Sequence, residues 1–113
     1  MRSHLNSDEI VTKHGRANSQ WGSENVGGHL YLTNKRLIFE SHLFNVRTGT
    51  LTTDLSGVLN ITKCWRKFLG RVPIFPNSID VEMKDGAHVQ FVVYNRNKWI
   101  TAIMDAVQQL TAT

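Results

Sequence analysis

From residue 79 to residue 93 the chain alternates. Ile79, Val81 and Met83 fall between Asp80, Glu82 and Lys84, and Val89, Phe91 and Val93 fall among His88, Gln90 and Val92. A period of two puts one face of each run inward and leaves the other mostly wet, so two strands are predicted. Asp85-Gly86 between them is the strongest short hairpin signal in the chain. At Asn95, a good N-cap residue, the period changes. Trp99, Ile103, Val107 and Leu110 recur at helical spacing, and Ile100, Met104 and Ala106 widen the stripe. Arg96, Thr101, Asp105, Gln108 and Gln109 fall on or near the other side. The spacing predicts one amphipathic helix of about four turns, at roughly 3.6 residues per turn.

Earlier in the chain the same reading predicts shorter pieces. A strand starts in 10–14 and runs toward Asn18, and residues 21–28, with three glycines and an Asn, read as a loop. Residues 29–33 and 36–41 are two β-rich runs joined only by Asn34-Lys35, which predicts a hairpin with Leu30 and Leu32 on one face. Its second arm has Leu37 and Phe39 facing one way and Ile38 the other. A turn is expected at Thr48-Gly49, a short strand over 51–55 and a longer one over 58–65. Residues 72–77 carry Pro73 and Pro76, which argue for an ordered loop and against a central strand. The chain is therefore mainly β with one C-terminal α-helix. About seven antiparallel strands left flat would present two open edges, an aggregation hazard. They are expected to curl into a small barrel or two near-orthogonal sheets, stoppered by the helix and led by Trp99.

With 113 residues, 41% hydrophobic and 19% charged, the chain fits one globular domain, 1–113, with the polar residues 1–9 flexible and Asn6-Ser7-Asp8 forming a turn. The only cysteine, Cys64, rules out an intramolecular disulfide and argues against a cysteine zinc site. No apolar run is long enough to cross a bilayer, and residues 1–9 lack a signal-peptide core, so a cytoplasmic location is expected.

Charge changes the picture more than composition does. Thirteen Lys and Arg stand against nine Asp and Glu, a net +4. Between Asp54 and Asp80 there is no acidic residue, and that gap holds Lys63, Arg66, Lys67 and Arg71, so the rest of the chain is neutral. Trp65 and Phe68 are interleaved with these cations. Cations mixed with rings can meet an anionic surface while the rings stack or insert. The plainer reading is that the rings face the core and the cations are a solvated face. Trp99 reads as core plug, and Trp21 as either exposed or folded back. Lys35 and Arg36 read as hairpin-turn charges.

Catalytic chemistry finds little footing. The five histidines, His4, His14, His29, His42 and His88, form no HxH or HxxxH ligand pair, so a metal site would need the fold to gather them. Cys64 with a distant His could be a nucleophile pair, but its place in a strand between Lys63 and Trp65 reads as packing. Gly27-Gly28 has no phosphate-loop pattern around it, and no serine stands in a nucleophile-elbow context.

Four separated motifs agree in order with one family. Residues 28–39, GHLYLTNKRLIF, resemble the signature hairpin of GRAM domains, relatives of pleckstrin-homology (PH) domains. Residues 55–58, LSGV, resemble the step that follows. Residues 74–81 with 86–91 resemble the late strand pair, and 95–100, NRNKWI, the start of the capping helix. The resemblance spans about Gly28 to Leu110. It implies a PH-like split barrel capped by a C-terminal helix, and a non-catalytic binding module without a cofactor. Such modules dock to anionic membrane lipid or to a protein partner, which would place this chain peripherally at a membrane when bound. Many lipid-binding relatives set a run of Lys and Arg across the first hairpin. Here Lys13 and Arg16 are followed by a Gly-rich stretch without a cation, which argues against strong headgroup-specific phosphoinositide binding. The candidate binding residues are thus Lys63, Trp65, Arg66, Lys67, Phe68 and Arg71. A protein-interaction or self-association module without a lipid ligand is the alternative. Nucleic acid is a third partner class, supported by charge alone.

Overall fold

The alternation of the chain becomes seven strands and one long helix in the computed structural model, which describes residues 4–21, 24–41, 50–68 and 72–111. Within these, the side chains of residues 20, 21, 24, 25, 64–68, 72–77 and 111 lie outside the description. The strands are β1 Val11–Trp21, β2 Glu24–Thr33, β3 Arg36–Ser41, β4 Thr50–Asp54, β5 Val58–Phe68, β6 Val72–Met83 and β7 His88–Val93. A 3₁₀ turn, Leu55–Gly57, joins β4 to β5, and the helix α1 spans Arg96–Thr111. All pairings are antiparallel, and the sheet order is β4-β3-β2-β1-β7-β6-β5.

Among the described residues the sheet does not close on itself, and β4 and β5 are its edges, as a split barrel requires. The 3₁₀ turn spans between the two halves. Its Leu55 amide donates to the Lys35 carbonyl in the β2–β3 turn, and its Gly57 carbonyl accepts from the Lys84 amide in the β6–β7 turn. Against this turn and against β5, β6 and β7 packs α1. The core has the expected composition: Leu30, Leu32, Leu37, Phe39, Ile79, Val81, Phe91, Val93, Trp99 and Ile103 are each exposed by no more than 2%. Phe39 and Phe91 meet as tilted rings with centroids 5.9 Å apart, tying β3 to β7 through side chains. Trp99 lies over Gly15, where even a Cβ would come within 3.7 Å of the indole. Ile38 is also buried but faces away from this cluster, as the alternation of β3 demands.

Some boundaries differ from the sequence reading, each for a physical reason. Residues 21–28 are mostly strand, because β1 and β2 stay in register from Lys13–Leu32 out to Trp21–Glu24. Gly27 and Gly28 are accommodated inside the ladder, and Gly28 is there for close approach: a Cβ on it would stand 2.3 Å from the Glu40 carbonyl oxygen. Residues 72–77 belong to β6 despite Pro73 and Pro76. The β6–β7 ladder begins at Ser78, paired with Val92, and β7 ends one residue later at Val93. The prolines lie past that end, where β6 needs partners only from β5, so their missing N–H groups cost no ladder bond on the far side. Asn95 does precede the helix, and its carbonyl accepts from the amides of Lys98 and Trp99. It does so from a left-handed backbone, φ 59°, a conformation that Asn tolerates. The Asp85-Gly86 turn is as expected, with Gly86 at φ 94° and its amide donating to the Met83 carbonyl. The turn expected at Thr48-Gly49 lies outside the described residues.

The polar start is tied down at its end. Glu9 is buried, its carboxylate gripped by Arg36 through Nε at 2.8 Å and Nη2 at 3.1 Å. The Thr33 hydroxyl donates to the same carboxylate at 2.6 Å, and the Asn6 amide donates at 3.1 Å. The turn over Asn6 to Glu9 is closed by a backbone bond from Glu9 to Asn6. Lys35–Asp8, at 2.8 Å and exposed, adds a second but weaker tie.

Candidate functional site: a basic two-stranded arm

Five of the six candidate residues fall on β5, and Arg71 lies outside the described residues. Antiparallel register pairs Lys63 with Ile79, Cys64 with Ser78, Arg66 with Phe75, Lys67 with Pro73 and Phe68 with Val72. The pairing shifts between Cys64 and Arg66 and again between Arg66 and Lys67, so the strand is bulged where the cations are densest. Bulges bend a strand and increase its twist. Because β7 ends at Val93, this part of β5–β6 runs on as a two-stranded arm beyond the seven-stranded body. Lys63, at the root of the arm, is exposed. The backbone places Trp65, Arg66, Lys67 and Phe68 on the arm, while their side chains and all of Arg71 lie outside the described positions.

Charge is segregated along the hairpin. At its body end Glu82 pairs with Asn60 and Asp80 with Thr62. From Lys63 outward the formal charge is only positive. Asp80 is occupied at one oxygen, since the His88 ring N–H at Nδ1 donates to Oδ2 at 2.8 Å, while Oδ1 is buried without a hydrogen bond among the described residues. This hydrogen bond, together with the charge of Asp80, raises the pKa of His88 above its ordinary value. Asp80 therefore faces His88 across the β6–β7 ladder.

Elsewhere the molecule offers shallower features. A groove of about 310 Å³ between β1 and α1 is lined by Lys13, Asn34, Asp105 and Gln109 among others. Lys13 extends over the Trp99 ring, 5.1 Å from its centroid, and so closes the inner wall of that groove. Among the described residues, no three His, Cys, Asp or Glu side chains gather to hold a metal. Two histidines that the sequence left scattered do meet: His14 Nδ1 and His29 Nε2 are 2.9 Å apart on the outer face of β1 and β2. Period-two alternation on two adjacent strands could have indicated a shared face. Their contact needed the register.

Comparison with known proteins places the fold. The GRAM domain family model matches residues 1–111. Among solved structures, the C-terminal domain of an unknown protein from Leishmania infantum superimposes with a TM-score of 0.71 at 20% identity, over 88% of this chain and 85% of that one. The Vps36 N-terminal PH domain gives 0.70 at 16% identity, over 97% and 87%. The DH/PH domains of p115-RhoGEF give 0.65 at 11% identity, over 90% of this chain but 31% of that one, so the likeness covers about a third of that chain. No curated protein matches significantly in sequence. Among the described residues no helix is long and apolar enough to cross a membrane.

Proposed function

The chain belongs to the GRAM domain family, whose members are binding modules, and from that premise we propose that it docks on an anionic membrane surface through the β5–β6 arm. Lys63, Arg66, Lys67 and Arg71 supply the attraction, and Trp65 and Phe68 supply rings for the interface between headgroups and acyl chains. One observation carries the reading. The whole excess charge of the chain lies in residues 63–71, of which Arg66 and Lys67 stand on the part of β5 that runs past the end of β7, while the acidic residues of β6, Asp80 and Glu82, lie at the other end of that strand. Each cation near an anionic leaflet contributes about 1 kcal/mol. Reversing two of them therefore removes on the order of 4 kcal/mol, enough to abolish a weak peripheral attachment. The protein is expected to sediment with phosphatidylcholine vesicles containing phosphatidylserine at low salt, and the Arg66→Glu/Lys67→Glu variant to stay in the supernatant. Equal sedimentation of both, or none of the native protein, would sink the proposal.

A second reading rests on the open sheet. The edges β4 and β5 each have one flank without a strand partner in the sheet order, which suits addition of an extended segment from a protein partner or a second copy. Light scattering that gives a mass above 12.9 kDa, insensitive to salt, would favour it over membrane docking.

A further inference from the structure

The geometry points to a divalent transition-metal site on the outer face of β1 and β2, built from the imidazoles of His14 and His29 for an ion of the Zn²⁺ or Cu²⁺ class. Register sets the pair: Tyr31 stands opposite His14 and Arg16 opposite His29, which makes the two histidines diagonal neighbours on one face. Their facing nitrogens, Nδ1 of His14 and Nε2 of His29, are 2.9 Å apart. Two imidazole nitrogens bound to one tetrahedral ion at about 2.0–2.1 Å stand about 3.3 Å from each other. The separation thus needs to grow by only a few tenths of an ångström, and each ring must turn by about 35° so that its lone pair leaves the N···N line and points at the ion, a rotation open to side chains at the surface. Tyr31 limits other motions, because its ring lies 4.7 Å from that of His29 and 5.8 Å from that of His14, centroid to centroid. The rings are walled on one side and held together before any ion arrives.

Two charged residues pair in register beside the histidines. Arg16 faces His29 from β1, and Glu40 faces it from β3. One cation and one acid thus stand in register beside the site. A hydrogen bond between two neutral imidazoles needs one N–H and one lone pair. When the ion binds, that shared proton moves to the other nitrogen of its own ring, and both facing lone pairs become ligands. The neutral pair therefore takes the ion without net loss of a proton, while a protonated pair must first release one, so acid weakens binding. No third His, Cys, Asp or Glu among the described residues completes the shell. Water fills the remaining positions, and the site is open to exchange. Imidazole ligands suit Zn²⁺, Ni²⁺ and Cu²⁺, with Cu²⁺ the tightest on the usual ordering.

Zinc chloride titrated into the full chain at neutral pH, followed by calorimetry and by NMR of the histidine rings, tests the site. We expect a saturable one-to-one event that moves the His14 and His29 resonances together. It should be lost in His14→Gln and in His29→Gln but kept in His4→Gln. Circular dichroism confirms that each variant is folded. Resonance shifts confined to His4, His42 or His88, or an isotherm unchanged by His14→Gln and His29→Gln, would overturn the assignment.

Discussion

Glu9 has no side-chain exposure, yet it is charged, because four donors converge on it from Arg36, Thr33 and Asn6. The Arg36 guanidinium acts first, and together these groups hold its pKa at about 2, against an ordinary value of 4.5. A carboxylate depressed in the folded state adds stability above its unfolded pKa and loses it as pH falls toward the folded one. Acid should therefore remove on the order of 3 kcal/mol between about pH 5 and pH 2 through this residue. Urea unfolding of Glu9→Gln is expected to show a lower midpoint at pH 7 and a flatter loss on acidification than the native chain. A second residue-scale prediction concerns Gly28. A methyl there meets the Glu40 carbonyl carbon and oxygen and the Phe39 ring tip, 2.7 Å away, in a ladder that cannot yield. Gly28→Ala should cost about 1–3 kcal/mol by overpacking, measured as a fall in the urea midpoint at unchanged slope.

At the scale of elements, the late hairpin and the helix were legible because each carries an uninterrupted period. Ile79, Val81, Phe91 and Val93 kept to two, while Trp99, Ile103 and Val107 kept to the helical repeat, and burial followed both patterns. Residues 21–28 and 72–77 were read as loops because glycine and proline are judged locally, whereas their cost depends on which neighbour strand is present. Pro73 and Pro76 sit where β7 has already ended, a fact of register that no window of sequence contains. The hold of Arg36 on Glu9 was missed for the same reason, since the partners are 27 positions apart. The basic run, by contrast, was readable as composition, and register added only its place on an arm. Two tests belong here. Trp99→Ala removes a buried ring that α1 contributes to the core and should cost about 3–5 kcal/mol, with the helix signal in circular dichroism lost in the same transition as the strands. On the β6–β7 ladder, His88 should titrate above 6.5 by NMR and return toward it in Asp80→Asn. Because its folded pKa is raised, the stability this pair adds is complete below the unfolded value and disappears as pH climbs through the folded one.

For the molecule as a whole, charge is distributed like a handle on a neutral body. Outside residues 63–71 the chain carries equal numbers of acidic and basic residues, and that segment carries the surplus. Attraction of such a handle to an anionic surface acts over about 10 Å at 0.1 M salt and about 3 Å at 1 M. Vesicle sedimentation of the native protein should accordingly fall steeply as salt rises from 0.05 to 0.5 M, and the Arg66→Glu/Lys67→Glu variant should show no such slope. A salt-independent signal would assign attachment to Trp65 and Phe68 in place of the cations.

The unclosed ring of strands has a mechanical consequence. Among the described residues, nothing in the hydrogen-bond ladders links β4 to β5; the gap is bridged by Leu55, by the amide of Lys84 and by the body of α1. The barrel is a bracelet with a clasp: a change of girth leaves every rung of the ladders intact and strains only the two backbone hydrogen bonds of the 3₁₀ turn and the packing of α1.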